Sequence, residues 1–267
     1  MFVLTLRQRC IIQLTRYKTL VAYRRGNWRS VAIEASDEPL VTLPRDCSFP
    51  YYHSEMGIGE SPDVYVREQV AKRFMVAGSI VRQYGFDLVA YDGWRSLSVQ
   101  SNLYWHYLKK FTAVDCGLAD VFRDSITLLE IESRFNQFSA DEQQRVHTAN
   151  QTYVSWPSSD PLRPSPHSTG GAIDVWLHRD GMPVDLGVPF DWMETNAGAF
   201  FHLKLFRESF KNDREVCSNR SLLLYAMVSA GFSCYPPEIW HFNFGNQMDG
   251  LVKRMPACYS YIEPESI

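Results

Sequence analysis

Two distant segments restrict this chain more than any other feature: Ser165-Pro-His-Ser-Thr-Gly-Gly-Ala-Ile-Asp174 and Pro236-Pro-Glu-Ile-Trp-His-Phe-Asn-Phe244. Pro166, Gly170 and Gly171 argue against a helix that would stack His167 over Asp174, so a loop running into a strand is expected. Along that strand, 172–177, Ile173, Val175 and Leu177 face one way, and Ala172, Asp174 and Trp176 the other. The second segment alternates in the same manner, with Trp240, Phe242 and Phe244 on one side and His241 with Asn243 on the other. Paired, the two strands aim Asp174 and His241 at a common point, and the proline-rich loop delivers His167 to it.

Two imidazoles and one carboxylate leave a fourth position open, which is the arrangement of catalytic rather than structural zinc. Zinc lowers the pKa of a bound water to roughly 7 and polarises a scissile carbonyl. Glu238 lies three residues from His241, opposite in an ideal strand. It therefore belongs to the irregular stretch made by Pro236 and Pro237, where a carboxylate can reach the water as general base without being a ligand. An isolated histidine is more often structural than ligating; the co-occurrence of the two segments is what points to a metal. His53, His106, His147, His178 and His202 have no comparable setting. Arg95, in YDGWRS, sits at a strand-to-helix corner and taken alone reads as a salt-bridge partner; Asp92 reads as a hydrogen-bonding group of that corner.

The remainder of the chain frames these segments. Residues 1 to about 50 read as short extended pieces, such as VAIEAS and PLVTLP. From Pro62 to Gly85, Val66, Val70, Phe74, Ala77 and Val81 recur at helical spacing and predict a helix. FDLVAYD, 86–92, follows as a strand, and Ser96 or Ser98 caps a second helix. Residues 115–150 are helical in pattern, 155–166 a loop, a stretch near 213–230 helical, and 239–245 a last strand.

The 267 residues suffice for one substantial core, so a single domain, 1–267, is expected. Six cysteines without a CxxC pair read as reduced thiols. Net charge is only −3 and is scattered along the chain, which predicts neither a nucleic-acid nor a membrane partner and leaves a small substrate. Arginines interrupt the apolar residues of the amino terminus, so no secretory signal is read there and a cytoplasmic protein is expected.

YDGWRS, SPHSTGGAIDVWL, PFDWM and PPEIWHF, in this order, resemble the zinc D-alanyl-D-alanine dipeptidases of the vancomycin-resistance type, within the wider group of zinc D,D-peptidases and Hedgehog-like domains. The resemblance spans about 62–250 and leaves 1–50 as an amino-terminal extension. It implies an α+β fold, a small antiparallel sheet flanked by helices, with one zinc at a sheet edge held by His167, Asp174 and His241. It further implies Glu238 as catalytic base and Arg95 as the group that steadies the transition state. Asp191 and Ser165 would bind the free amino group of a small dipeptide such as D-Ala-D-Ala. Two alternatives are a cell-wall carboxypeptidase or endopeptidase acting on longer peptides, and a non-catalytic zinc-stabilised binding module. Retention of both Glu238 and Arg95 speaks against the second.

Overall fold

A computed structural model of the chain describes residues 4–125, 127–203 and 214–263. Helix α1 (Leu6–Arg25) opens it, capped by Thr5, whose hydroxyl accepts from Gln8 N at 3.3 Å while Gln8 Oε1 accepts from Thr5 N at 2.7 Å. This reciprocal cap satisfies donors that a helix start leaves free. The expectation of short extended pieces over 1–50 is thus corrected: a helix takes 6–25, and within PLVTLP only β1 (Leu40–Thr42) is a strand. In α1 only Ile12 and Thr19 are buried, so its inward face lacks the apolar repeat by which a helix is recognised.

A short helix, α2 (Tyr51–Ser54), precedes a second correction. The helix expected from Pro62 begins only at Glu68, because β2 (Tyr65–Arg67) pairs antiparallel with β1, Val66 opposite Val41. Val66 is buried as its spacing suggested, but as a strand residue. Helix α3 (Glu68–Arg82) buries Val70, Phe74, Ala77 and Val81.

Strand β3 (Asp87–Asp92) leads into α4 (Leu97–Tyr107), where Ser96 Oγ accepts from Val99 N at 3.1 Å. A π-helical turn (Leu108–Thr112) follows, then α5 (Ala113–Asp115), α6 (Ala119–Phe122), α7 (Leu128–Phe135) and α8 (Ala140–Asn150). These helices enclose a core of their own around Leu103, Tyr104, Leu108, Phe122 and Ile131. After the loop come β4 (Ala172–Arg179), β5 (Met182–Pro183), α9 (Arg214–Ser229), β6 (Ser233–Cys234), β7 (His241–Asn243) and α10 (Gln247–Lys253).

The main sheet runs β3-β4-β7-β6, with β5 on β4, and every pairing is antiparallel. Ile173, Val175 and Leu177 share the main core with Val70 and Phe74 of α3 and Met227 of α9. The opposite face is covered too, since Ala172, Asp174 and Trp176 are also buried. An ionisable group held there must be matched by a counter-charge. The fold is the expected α+β arrangement, a small antiparallel sheet flanked by helices. All six cysteines are free thiols.

Candidate active site

Pairing of β4 with β7 sets Asp174 directly opposite His241. His167 arrives on a single helical turn (His167–Thr169) that ends at Gly170, whose φ of 69° suits a residue without a side chain. A Cβ at Gly170 would meet Leu40 Cδ2 at 2.5 Å, so the turn packs against β1. Arg67 clamps it: its backbone N–H donates to Gly170 O at 2.9 Å and its Nε to Thr169 O at 2.8 Å.

The three side chains converge. His167 Nε2 lies 3.2 Å from His241 Nδ1, His241 Nδ1 lies 3.0 Å from Asp174 Oδ1, and His167 Nε2 lies 3.5 Å from Asp174 Oδ2. Hydrogen bonds on the far sides set the imidazole tautomers. His167 Nδ1 is 2.6 Å from the carbonyl oxygen of Gly93, which can only accept, so the proton sits on Nδ1. His241 Nε2 donates to Asn243 Oδ1 at 3.1 Å, and Asn246 Nδ2 fixes that oxygen from 2.7 Å.

Both imidazoles therefore turn a lone pair inward to the buried Asp174 carboxylate, His167 toward Oδ2 and His241 toward Oδ1, which has no hydrogen-bond donor. Convergence of three electron-rich atoms in a buried site is costly unless a cation lies among them. Two nitrogens and one carboxylate fit zinc. Among the described residues, His167, Asp174 and His241 are the group of histidine, cysteine or acidic side chains with metal-ligand spacing. His53, His106, His147, His178 and His202 lie outside it.

Arg95 occupies the corner after β3. Its Nε donates to Asp92 Oδ2 at 2.6 Å, Nη1 to Gln100 Oε1 at 3.3 Å and Nη2 to Asp174 Oδ2 at 3.4 Å. Asp92 thus has the hydrogen-bonding role expected of it, and it also lies 3.2 Å from His167 Nδ1. Glu238 stands in the irregular stretch before β7, its carboxylate 3.7 Å from His241 Nδ1. Burial is the main cause that pushes its carboxyl up to about 7.

The cavity beside this group is lined by Tyr52, Arg95, Tyr107, Asp191, Glu238 and Trp240 among others, and by residues 151–155. Asp191 adopts a left-handed backbone conformation, φ 64°. It accepts from Tyr52 Oη at 3.2 Å and from the Tyr107 hydroxyl, and burial raises its carboxyl to about 6 against the lowering effect of Tyr107. Ser165 is buried near His167, but its hydroxyl donates to Ser168 Oγ at 2.7 Å, and it is not among the lining residues.

Sequence reasoning missed Tyr52, Tyr107 and Gln100. Tyr52 also lies beneath the Arg95 guanidinium, 4.9 Å from its ring centroid, so it touches both Arg95 and Asp191. No motif marks these three, and their places depend on how α2 and α4 pack.

A family model of the M15 peptidases, described as D-Ala-D-Ala dipeptidase, matches residues 116–261, more than half of the chain. That span contains Ser165, His167, Asp174, Asp191, Glu238 and His241, while Arg95 precedes it. A D-alanyl-D-alanine dipeptidase from Synechocystis sp. is 28% identical over 233 residues, covering 82% of this chain and 87% of that protein. With a matching span of this length, the chain belongs to the D-Ala-D-Ala dipeptidase family of M15 peptidases.

Proposed function

We propose that the protein is a zinc-dependent dipeptidase that hydrolyses D-Ala-D-Ala or a closely similar free dipeptide. It would act as one catalytic domain, 1–267, with its peptidase core over 62–250. The observation that carries this reading is the placing of Glu238 and Asp191 in one cavity with the converging donors of His167, Asp174 and His241. A zinc ion held by those three would lower the pKa of a water to roughly 7 and polarise the scissile carbonyl.

The chain's own side chains carry the remaining work. Glu238, with a carboxyl raised to about 7, accepts the proton of the attacking water and returns it to the leaving amine. Arg95, held by Asp92 and Gln100, turns its guanidinium toward the charge that develops on the carbonyl oxygen. Asp191 fixes the substrate ammonium by a charge-assisted hydrogen bond, which leaves room for a single residue before the scissile bond. Ser165, which the resemblance would also set against that ammonium, has its hydroxyl on Ser168 Oγ and does not line the cavity, so Asp191 is the contact proposed.

Hydrolysis rates of free D-Ala-D-Ala, its amino-acetylated form and the tripeptide, measured on the zinc-loaded protein, test this reading. The free dipeptide is expected to react about a hundredfold faster than either, the worth of losing a buried charged contact. Equal rates would replace the dipeptidase by a peptidase of longer chains. No hydrolysis of any of the three would support the binding-module alternative.

A further inference from the structure

Helix α1 turns two unlike sides to its surroundings. Inward, Ile12 and Thr19 are buried where the helix packs against α9 and α10. Outward, Leu6, Leu14, Tyr17 and Leu20 are 79, 54, 68 and 42% exposed, and Cys10 is exposed beside them. Such a stripe on the surface calls for a partner.

Its charges say which kind. The helix carries Arg7, Arg9, Arg16, Lys18, Arg24 and Arg25 and no acidic residue. Without those six, 21 Lys and Arg face 30 Asp and Glu in the rest of the chain, so the cationic surplus belongs to this helix. Among the described residues, none of the six lies within ion-pair distance of a carboxylate. At about 100° per residue, Arg7, Lys18 and Arg25 fall within about 40° of Leu14 and Arg9 and Arg16 within about 40° of Leu20, while Arg24 falls inside the stripe, so cations border it on both edges and interrupt it once. Read along the sequence these charges are scattered; the helix gathers them.

A nucleic acid would use the cations but leave the aliphatic stripe wet, and a second copy of α1 would set like charges against each other. An anionic lipid surface satisfies both features. We propose that α1 docks the protein on anionic membranes, lying in the plane of the surface. Its Leu and Tyr side chains enter the headgroup and acyl boundary, and Arg7, Lys18 and Arg25 face the lipid phosphates. The contact is peripheral, since among the described residues no helix is long and apolar enough to cross a membrane. Leu20 also borders a groove with Tyr153, Trp192, Met193, Tyr235 and Glu238, so docking would bring the lipid surface close to the active-site cavity.

The test is sedimentation of the full-length protein with vesicles of phosphatidylglycerol and phosphatidylcholine, against vesicles of phosphatidylcholine alone. Binding is expected to the first and not the second, and to weaken when salt is raised from about 0.1 to about 0.5 M as the charges are screened. A triple variant, Arg7→Gln with Lys18→Gln and Arg25→Gln, should lower the partition coefficient about a hundredfold, from a contribution of about fivefold per cation. Leu14→Ser with Tyr17→Ser should lower it more than about tenfold. Both variants should hydrolyse dipeptide in free solution as the parent does. Absence of binding to anionic vesicles, equal binding to both vesicle types, or full binding by the triple variant would overturn the proposal. So would a dimer in solution that the Leu14 and Tyr17 changes abolish without altering vesicle binding.

Discussion

His241 faces Asp174 because the two stand directly opposite each other where β4 pairs with β7, whereas Asp191 is held at the other end of the cavity by two tyrosines from α2 and α4. At the first end, strand register places the groups, and hydrogen bonds to Gly93 O and Asn243 Oδ1 set their tautomers. At the second, side chains from separate elements meet around a residue in a left-handed conformation. Register positions are stiff and common to any substrate. A site made where separate helices pack is where selectivity can vary while the chemistry stays constant.

Changes at the two ends should therefore separate kinetically. The largest effect is expected at Glu238→Ala, which removes the proposed proton carrier but none of the proposed metal donors. kcat should fall about a thousandfold with metal content unchanged, and a variant that keeps its rate would remove Glu238 from the mechanism. Asp191→Asn should lower kcat/KM for the free dipeptide about thirtyfold while hardly altering an amino-blocked one, the worth of one charged hydrogen bond. Equal losses on both substrates would place Asp191 in the chemistry and dissolve the distinction between the ends.

Acidity tests the same distinction at smaller scale. Glu238 near 7 and Asp191 near 6 must both be ionised to act, so kcat/KM should decline as pH falls through that range, by roughly tenfold for each unit below each value. A bound cation favours ionised Glu238 and would move its part of the decline to lower pH. In Asp191→Asn the lower break should disappear; its persistence would assign it to another group. Smallest is Tyr107→Phe, which removes one donor to Asp191. KM should rise about fivefold at constant kcat, and the lower break should move to higher pH, because that donor holds the carboxyl down. A fall in kcat alone would contradict a positioning role.

What could be read from the residues follows the same division. Alternation over 172–177 and 239–245 was enough to anticipate the pairing that sets Asp174 opposite His241, because a period of two survives in a short strand. Pro236 and Pro237 announced the irregular backbone that holds Glu238. Tyr52 and Tyr107 gave no signal, since a tyrosine in a buried helix is core by default and its hydroxyl partner lies far along the chain. Helix α1 was unreadable for another reason: its exposed apolar stripe and its sparse buried face blur the single-sided pattern. Val66 misled because its spacing to Val70 is also that of a helix, while β2 is too short to show alternation.

The account rests on one ion held by His167, Asp174 and His241, and elemental analysis of the purified full-length protein after dialysis tests that most directly. One zinc per chain is expected, with His241→Ala and Asp174→Asn each reducing it at least about tenfold. A parent protein that binds no divalent metal, or a His241→Ala variant that keeps a full equivalent, would contradict the account.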